Sequence, residues 1–374
     1  MTKKVLFVAT MLRGHILVFH LPYMKWFQER GYEVHLCARN DTGEENVTVP
    51  YCDRFMELPF ERSPLSPGNA AVFRRLRQII NEGDYALIHC NTPVGGMLGR
   101  LCAAQARKKG TRVVYTAHGF HFFTGAPLKN WMLFYPAERY LARYTDLLIT
   151  INREDAERAR RFPAGQVARI NGIGVDLSRF DAPVDRRAVR LALGVGPEEP
   201  VLITVGEHTP RKNHATVLRA AALLPQTQVL LCGVGEQQTM LEQLARELHM
   251  QERTHFLGFR RDVPALLKAS DVFVFPSLQE GLPMAQMEAM AAGLPCVVSN
   301  VRGNADLIQP GEGGLLRPPM DAEGFAQDIA SLLNSPETRA EMSRRNLEAI
   351  RPYGLSDVLE QMAALYTAQL EGGR

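Results

Sequence analysis

The chain has 374 residues, of which 46% are hydrophobic and 22% charged, and its formal net charge at pH 7 is +3. This length exceeds what one ordinary hydrophobic core organises and predicts two domains, while the composition is typical of a globular protein. No apolar run approaches the ~20 residues that span a bilayer. The N-terminus shows no signal peptide and the six cysteines form no CxxC pair, so we expect a cytoplasmic protein without disulfides or a zinc site.

The two halves of the chain differ in charge. Residues 1–183 hold 25 Lys and Arg against 17 Asp and Glu, a net charge of +8. The remainder holds 18 against 23, a net charge of −5. A basic half indicates an anionic partner for that half, although an uneven surface charge without any partner explains the count equally well.

Buried-strand runs alternate with amphipathic segments along the chain, which is typical of parallel sheets covered by helices. Five runs fall in each half: 5–9, 33–38, 86–90, 112–117 and 147–152, then 201–206, 228–233, 254–258, 272–277 and 296–300. Each series predicts one doubly wound, Rossmann-like α/β domain. Residues 181–200 are rich in Pro, Gly and charge, so we place the domains at 1–182 and 183–353. A last amphipathic helix at 354–372 is expected to pack back on the first domain.

Two facing sheets of this kind would place the carboxyl ends of their strands around a central cleft, and open α/β sheets bind ligands at that end. Gly14, after the first strand, allows a close approach of a phosphate, but the GxGxxG fingerprint is absent and a plain loop remains open. His118 follows the fourth strand. A metal pair with His121 is rejected, because Gly119 favours a loop and no carboxylate or cysteine stands nearby. A sugar-binding imidazole and a satisfied structural histidine both remain open for His118.

Two cations follow the strand at 201–206, where Arg211 and Lys212 precede a helix that begins near His214. Cations beside a helix N-terminus form an anion site through their charge and through backbone N–H groups together. A solvated basic turn is the alternative. We favour phosphate, because the turn is expected to open onto the cleft.

The stretch LQEGLPMAQMEAMAAGLPCVVS, from Leu278 to Ser299, carries two glutamates, Glu280 and Glu288, among Met, Ala, Leu and Pro. Pro283 suits the first position of a helix, which leaves the amides around Leu282 to Met284 at a helix N-terminus. A carboxylate accepts two hydroxyl hydrogen bonds well, so each glutamate suits the vicinal diol of a ribose or hexose. The alternative is a packed helix from which Glu288 points to water.

These parts occur in an order that resembles the family 4 retaining glycosyltransferases of the GT-B fold, along nearly the whole chain. E-x7-E at Glu280 and Glu288 is similar to that family's motif, and Lys212 matches the lysine of its upstream turn. The stretches HILVFHLPYMKWF, YTAHGFHFFTGAPLKNW and ITINREDAERA are similar to the branch that builds bacterial capsule and exopolysaccharide. GIGVDLSRF at 172–180 resembles the family's usual entry into the second domain.

The resemblance implies a role for each candidate. Glu288 would hold the ribose of a nucleotide-sugar and Glu280 the transferred sugar. Arg211 and Lys212 would bind the diphosphate, helped by the helix N-terminus, and His118 would contact the donor sugar near its reacting carbon. The implied activity is a retaining transfer of a hexose, expected from a UDP-sugar, to a glycan or lipid-linked acceptor in cell-surface polysaccharide synthesis.

Two positions depart from the family pattern. Glu207 stands where many members carry arginine, and RGNAD at 302–306 stands where members often have Gly-Gly and a glutamate. A covalent nucleophile is not evident, since the chain shows no second carboxylate of the kind that glycoside hydrolases pair. No DxD motif follows a strand, so we expect a metal-independent enzyme without a cofactor, for which the nucleotide-sugar is a substrate.

Three other classes remain as alternatives. A sugar-nucleotide epimerase shares the GT-B architecture and works without an acceptor. A nicotinamide dehydrogenase would need a fingerprint, and the nearest candidate, GVGEQQ at 233–238, has glutamine at the third glycine position. A non-catalytic sugar-binding protein would tolerate the loss of Lys212. We expect no nucleic-acid partner.

Two segments could meet an anionic membrane surface, at 72–80 and 127–135. The first places Phe73, Leu76, Ile79 and Ile80 on one helical face with three arginines off it. The second gathers aromatic and apolar residues beside Lys129. A basic amphipathic helix in the headgroup plane has this composition, so we expect weak, salt-sensitive association. The alternative is that both pack on the sheet, which is the expected fate of the second.

Overall fold

The computed structural model describes residues 3–372, which fold into two compact units. The first unit comprises the chain up to Ile173 together with Ser356 onward, and the second is Gly174–Leu355. The division falls at Ile173–Gly174 and not at the predicted boundary of 182–183. Val175 and Phe180 are buried in the hydrophobic core of the second unit, which draws this stretch into it.

Within residues 3–372, the sheet of the first unit has seven parallel strands. They are β1 (Lys4–Met11), β2 (Glu33–Arg39), β3 (Arg54–Glu57), β4 (Tyr85–Asn91), β5 (Arg112–Ala117), β6 (Leu147–Thr150) and β7 (Gln166–Arg169). The order across the sheet is β3-β2-β1-β4-β5-β6-β7, so the winding reverses between β1 and β4. The helices of this part of the chain are α1 (Leu17–Phe19), α2 (Leu21–Gln28), α3 (Asn69–Gly83), α4 (Pro93–Cys102), α5 (Ala104–Lys108), α6 (Leu128–Leu141) and α7 (Arg153–Ala159).

The second unit repeats this plan with six parallel strands among its described residues. They are β8 (Val201–Val205), β9 (Gln228–Cys232), β10 (Thr254–Gly258), β11 (Val272–Phe275), β12 (Cys296–Ser299) and β13 (Gly314–Arg317), in the order β10-β9-β8-β11-β12-β13. The winding reverses between β8 and β11. The helices are α8 (Arg186–Ala192), α9 (His214–Ala222), α10 (Gln238–Glu247), α11 (Val263–Ala269), α12 (Met284–Ala291), α13 (Arg302–Leu307), α14 (Ala322–Leu333) and α15 (Pro336–Ala349), with the terminal α16 (Leu355–Glu371) following.

The predicted α/β class with two Rossmann-like domains is confirmed. The central strands β1, β8 and β11 are almost wholly buried, because helices cover both faces of a parallel sheet. The strands that sequence analysis missed, β3, β7 and β13, all lie at sheet edges. Each has four residues, all of them partly or fully exposed except Gly314, so none shows the apolar run of a buried strand.

The terminal helix α16 packs on the first unit through Tyr366. This side chain is fully buried, and its ring lies 4.7 Å from that of Phe27 and 5.6 Å from that of His89, between ring centroids. Its hydroxyl lies 2.7 Å from His89 Nδ1, and His89 Nε2 lies 2.8 Å from the Thr116 hydroxyl. The buried hydrogen-bond chain from β5 through β4 to α16 fixes the end of the chain against the sheet.

The apolar face on which the predicted membrane contact through 72–80 depends is buried by the packing of α3. Leu76, Ile79 and Ile80 are buried in the hydrophobic core of the first unit, and Phe73 packs against it. The apolar face of α3 therefore covers the sheet, and its arginines face solvent together with Gln78, Asn81 and Glu82. Across residues 3–372, no helix combines the length and the apolar content that crossing a bilayer requires.

Candidate active site

The predicted anion site of the second unit lies where its winding reverses. Lys212 follows β8 and Glu280 follows β11, and these two strands are neighbours in the sheet. The carboxyl ends of adjacent strands at such a switch point form the usual ligand-binding crevice of an open α/β sheet. Topology thus brings together two residues that are 68 positions apart in sequence.

One carboxylate oxygen of Glu280 collects three hydrogen bonds. Its Oε1 accepts from Lys212 Nζ at 2.8 Å, from Arg211 Nη1 at 2.9 Å and from the Ser277 hydroxyl at 2.6 Å. The Glu280 and Lys212 side chains are only 8% and 12% exposed, whereas Arg211 is 45% exposed. Here a buried carboxylate pairs with a buried ammonium. Either charge would be costly to bury at this depth without the other.

The burial of Lys212 alters its proton affinity. Desolvation lowers the pKa of this ammonium, and the Glu280 carboxylate opposes that shift, as does Glu207 more weakly. Lys212 Nζ also lies 4.6 Å from the centroid of the Phe275 ring. The adjacent Asn213 adopts a left-handed conformation, with φ at 54°, and its side-chain amide donates to the backbone oxygens of Pro276 and Pro319. The turn that carries Lys212 is therefore fixed at its far end.

The helix α12 positions the second glutamate. Glu288 lies in its second turn with a side chain only 13% exposed, and its Oε1 accepts from Arg179 Nη1 at 3.0 Å. Burial raises the pKa of Glu288, and Arg179 partly counteracts this rise. Glu288 thus neither points freely to water nor lies without a partner. Arg179 belongs to the 3-10 turn Leu177–Phe180, just after the division between the units.

The N-terminus of α12 differs by one residue from the prediction. Pro283 is the N-cap, with φ −79° and ψ 121°, and Met284 is the first helical residue. The extended ψ of Pro283 places it before the helix, so the amides at this end begin with Met284. The loop ahead of it is held by α13: a Cβ added at Gly303 would lie 2.5 Å from the Gly281 oxygen, so only glycine permits this approach.

The first unit brings His118 together with two histidines from the segment after β1. His15 Nε2 and His20 Nε2 lie 3.0 Å apart, and the His118 ring centroid is 4.7 Å from that of His15 and 5.8 Å from that of His20. The predicted neighbour His121 stacks instead on Phe134, with centroids 4.6 Å apart. His15 and His20 were missed because they are five residues apart, outside the spacings of a helical pair.

This histidine cluster is uncharged near neutral pH. Burial lowers the pKa of His118 to about 4 and holds the pKa of His15 and His20 well below 6.5. Each histidine offers one nitrogen, and these three atoms lie within 4.8 Å of one another, so the cluster could hold a metal ion. His118 Nε2 is buried and has no hydrogen-bond partner in the described residues. It remains open to a ligand hydroxyl.

Gly14 lies near this cluster, in the π-helical turn Leu12–Ile16. Its amide donates to Asp41 Oδ2 at 3.2 Å, and the Arg13 amide donates to Asp41 Oδ1 at 2.6 Å. A phosphate at Gly14 would have to displace this carboxylate. Asp41 was not predicted as a partner of Gly14, because it follows β2 and is 27 residues away in the sequence.

Two family profiles match the chain in succession. Residues 23–179 match the profile described as glycosyltransferase family 4, and residues 185–348 match that of the glycosyl transferases group 1. Among similar proteins is EpsD of Bacillus subtilis (strain 168), whose name describes it as a glycosyltransferase. It is 40% identical over 99% of this chain and 98% of its own length. A second, the UDP-Gal:alpha-D-GlcNAc-diphosphoundecaprenol alpha-1,3-galactosyltransferase of Escherichia coli, is 32% identical over 67% of each chain.

Two solved structures share the fold. The sucrose-phosphate synthase of Thermosynechococcus elongatus has a TM-score of 0.80 at 24% identity and covers 100% of both chains. The Anabaena protein Alr3699/HepE, in complex with UDP and glucose, has a TM-score of 0.82 at 21% identity over 98% of this chain and 100% of its own. From the two profiles and the full-length relative, we conclude that this chain belongs to the family 4 glycosyltransferases, with the two Rossmann-like domains of the GT-B fold.

Proposed function

We propose that this glycosyltransferase moves a hexose from a UDP-sugar to a lipid-linked glycan, with retention of anomeric configuration, in the synthesis of a cell-surface polysaccharide. The observation that carries the proposal is the pair of cations, Arg211 and Lys212, at the switch point of the second sheet. A nucleotide-sugar leaves as a diphosphate, and two cations beside a helix N-terminus suit its charge.

The names of similar proteins support the choice of donor and acceptor. The Escherichia coli relative uses UDP-Gal, and its acceptor is a sugar on diphosphoundecaprenol, as its name states. The Anabaena structure contains UDP and glucose. The high identity to EpsD over the full length supports a place in exopolysaccharide synthesis.

The geometry of Glu280 favours stabilisation of the leaving group over covalent catalysis. Its Oε1 already accepts three hydrogen bonds, from Arg211, Lys212 and Ser277, and two of these partners are cations. Such a carboxylate is a weak nucleophile, because its negative charge is already stabilised. We infer that Glu280 orients the cations and accepts a hydroxyl of the transferred sugar, while the acceptor attacks the face from which the diphosphate departs.

The remaining contacts complete the donor site. Glu288 accepts hydrogen bonds from the ribose hydroxyls, and these replace the hydrogen bond that Arg179 donates to its buried carboxylate. The α12 amides from Met284 onward face the diphosphate. His118, held neutral by burial, hydrogen-bonds a hydroxyl of the donor sugar through Nε2. In this proposal no metal ion acts on the diphosphate, because Arg211 and Lys212 supply the positive charge.

The test is the Lys212→Ala variant with a UDP-sugar and a lipid-linked acceptor. Turnover should fall about 100-fold or more, since a positioned cation aimed at developing charge is typically worth that much. Arg219→Ala is the matched control, because Arg219 is an exposed cation of the following helix α9. Full turnover in a folded Lys212→Ala protein would show that the diphosphate binds elsewhere.

Mass spectrometry of the same reaction separates the proposal from the epimerase alternative. A transferase adds 1 hexose to the acceptor and releases the nucleoside diphosphate, in ~1:1 proportion by the definition of a group transfer. An epimerase converts the donor without an acceptor. Conversion of the nucleotide-sugar in the absence of acceptor, with no glycosylated product in its presence, would overturn the proposal.

A further inference from the structure

Three histidines of the first unit converge from two segments that follow strands of its sheet. His15 and His20 belong to the segment after β1, and His118 follows β5. Each offers one ring nitrogen, and the three nitrogens lie within 4.8 Å of one another. A tetrahedral zinc ion with Zn–N bonds of about 2.0–2.1 Å needs nitrogens ~3.3 Å apart. His15 Nε2 and His20 Nε2 are already 3.0 Å apart, so His118 alone has to approach, by ~1.5 Å at most.

Two nitrogens of this cluster are buried without a hydrogen-bond partner among the described residues, His118 Nε2 and His20 Nδ1. A buried polar atom is normally paired, because its lost hydration is otherwise not replaced. The neighbouring His89 shows the contrast, since its Nδ1 lies 2.7 Å from the Tyr366 hydroxyl and its Nε2 lies 2.8 Å from that of Thr116. His89 is therefore a satisfied structural histidine, whereas His118 and His20 each have a nitrogen available to a ligand.

The three rings are in the protonation state that a metal ion requires. Burial holds the pKa of each histidine below 6.5, so the rings are neutral near pH 7 and carry lone pairs. The contact between His15 Nε2 and His20 Nε2 needs a proton on one of these two nitrogens. Metal binding moves that proton to the other nitrogen of its ring, so that both Nε2 atoms present lone pairs and no ring changes its charge.

Aromatic side chains enclose one side of the cluster. The ring of Phe19 lies 5.4 Å from that of His15 and 6.2 Å from that of His118, between centroids. Phe7 lies 6.4 Å from His20 on the same measure. His20 is 1% exposed, whereas His15 and His118 are partly exposed and leave an entry path from solvent. Three neutral imidazoles with a fourth position open to water suit zinc, whereas magnesium and calcium take oxygen ligands.

We propose that His15, His20 and His118 form a zinc site, and that the bound ion competes with the donor sugar for His118. Asp41 accepts from the Gly14 amide and so places a negative charge on the turn that carries His15, which offsets part of the charge of the ion. Binding of the ion requires residues of the first unit alone. The competition rests on the proposed function, in which a hydroxyl of the donor sugar uses His118 Nε2.

The expected effect of the ion is inhibition. Coordination occupies the lone pair of His118 that the donor hexose otherwise uses. UDP lacks the hexose, so zinc should raise the KM for the UDP-sugar and leave the Kd for UDP unchanged. Zinc at ten times its own Kd should raise that KM about tenfold by mass action, and EDTA should reverse the effect.

The experiment is a titration of the full-length protein, freed of metal, with Zn²⁺ in competition with a chromophoric chelator. We expect about one ion per chain. Co²⁺ in its place should give the intense visible absorption of a four-coordinate ion, because coordination geometry sets that spectrum. His15→Ala should weaken zinc binding at least tenfold, since even residues outside the ligand set alter metal affinity about 10–100-fold. Circular dichroism checks that this variant is folded.

Two variants serve as controls for the zinc titration. His121→Ala is the matched histidine change, because His121 lies in the same loop as His118 but stacks on Phe134. Lys212→Ala removes the proposed diphosphate cation and leaves the three histidines intact. Both proteins should bind zinc as the wild type does, which separates the zinc site from the donor site.

Three results would overturn the proposal. Unchanged zinc affinity in folded His15→Ala would place the ion elsewhere, and the weak absorption of six-coordinate Co²⁺ would exclude a site of three histidines. Zinc that binds but leaves the KM for the UDP-sugar unchanged would refute the competition. Failure of the proposed function is a different result: a protein without hexosyltransferase turnover before zinc is added would still bind the ion at these histidines.

Discussion

Replacement of Glu288 by alanine tests the assignment of the ribose site. The carboxylate is 13% exposed and holds one cation, Arg179, at 3.0 Å. A hydrogen bond to a charged acceptor contributes about 1.5–3 kcal/mol to binding. The donor must displace Arg179, which is 42% exposed, and an ion pair with such a partner contributes ~0–1 kcal/mol. The net loss of donor affinity in Glu288→Ala is therefore about 0.5–3 kcal/mol, or roughly 2- to 160-fold in Kd.

Isothermal titration calorimetry with UDP is the direct assay. UDP carries the ribose and the diphosphate but no hexose, so the result does not depend on Glu280 contacts to the sugar. Glu348→Ala is a matched control, because Glu348 is an exposed carboxylate that pairs with Arg344 at 3.7 Å on another helix. An unchanged Kd for UDP in a folded Glu288→Ala protein would refute the ribose assignment.

The same site gives a pH dependence with a defined sign. Burial raises the pKa of Glu288 above 4.5, and the ionised carboxylate is the better acceptor for ribose hydroxyls. Donor affinity should therefore fall as the pH is lowered through this raised pKa. Arg179→Ala removes the cation that opposes the rise, so the acidic midpoint should move to a higher pH. A shift to lower pH would contradict the role given to Arg179.

Two further predictions concern the histidines. Turnover should survive EDTA, since in the proposed site Arg211 and Lys212 supply the positive charge that binds the diphosphate. A loss of turnover restored by magnesium or manganese would contradict metal independence. A loss restored by zinc would assign a metal ion to His15, His20 and His118. Tyr366→Phe should lower the free energy of unfolding in urea by about 1–3 kcal/mol, because it leaves the buried His89 Nδ1 unpaired. Tyr140→Phe, which removes an exposed hydroxyl bonded to Tyr144, should change stability by less than ~0.5 kcal/mol, and equal effects would refute the argument.

The sequence was sufficient for the strands that are buried on both faces. Their runs are mostly apolar, so their positions were predicted to within two residues at their ends. β3, β7 and β13 were missed because an edge strand with a solvent side can have the composition of a loop. The division at Ile173–Gly174 was also missed, since a short turn that packs into a core resembles a linker when only Pro, Gly and charge are counted.

The contacts of the site were predictable only where topology is regular. Lys212 and Glu280 each follow a strand, and the order of a doubly wound sheet brings adjacent strand ends together. Arg179, Asp41 and His20 had no such signal. Each reaches its partner through the packing of an irregular segment, and neither periodicity nor spacing encodes that packing. Contacts of this kind can be identified only from the three-dimensional structure.

In this structure the charged groups of the proposed donor site already pair with one another. Lys212 and Arg211 bind Glu280, and Arg179 binds Glu288. A buried ammonium or carboxylate without a partner would be costly, so the protein without donor must pair its cations internally. Under the proposed function, the arriving diphosphate and ribose replace existing ion pairs and do not simply add new ones. The proposal thereby accounts for two glutamates in a Met- and Ala-rich stretch, each of which holds a cation until the nucleotide-sugar binds.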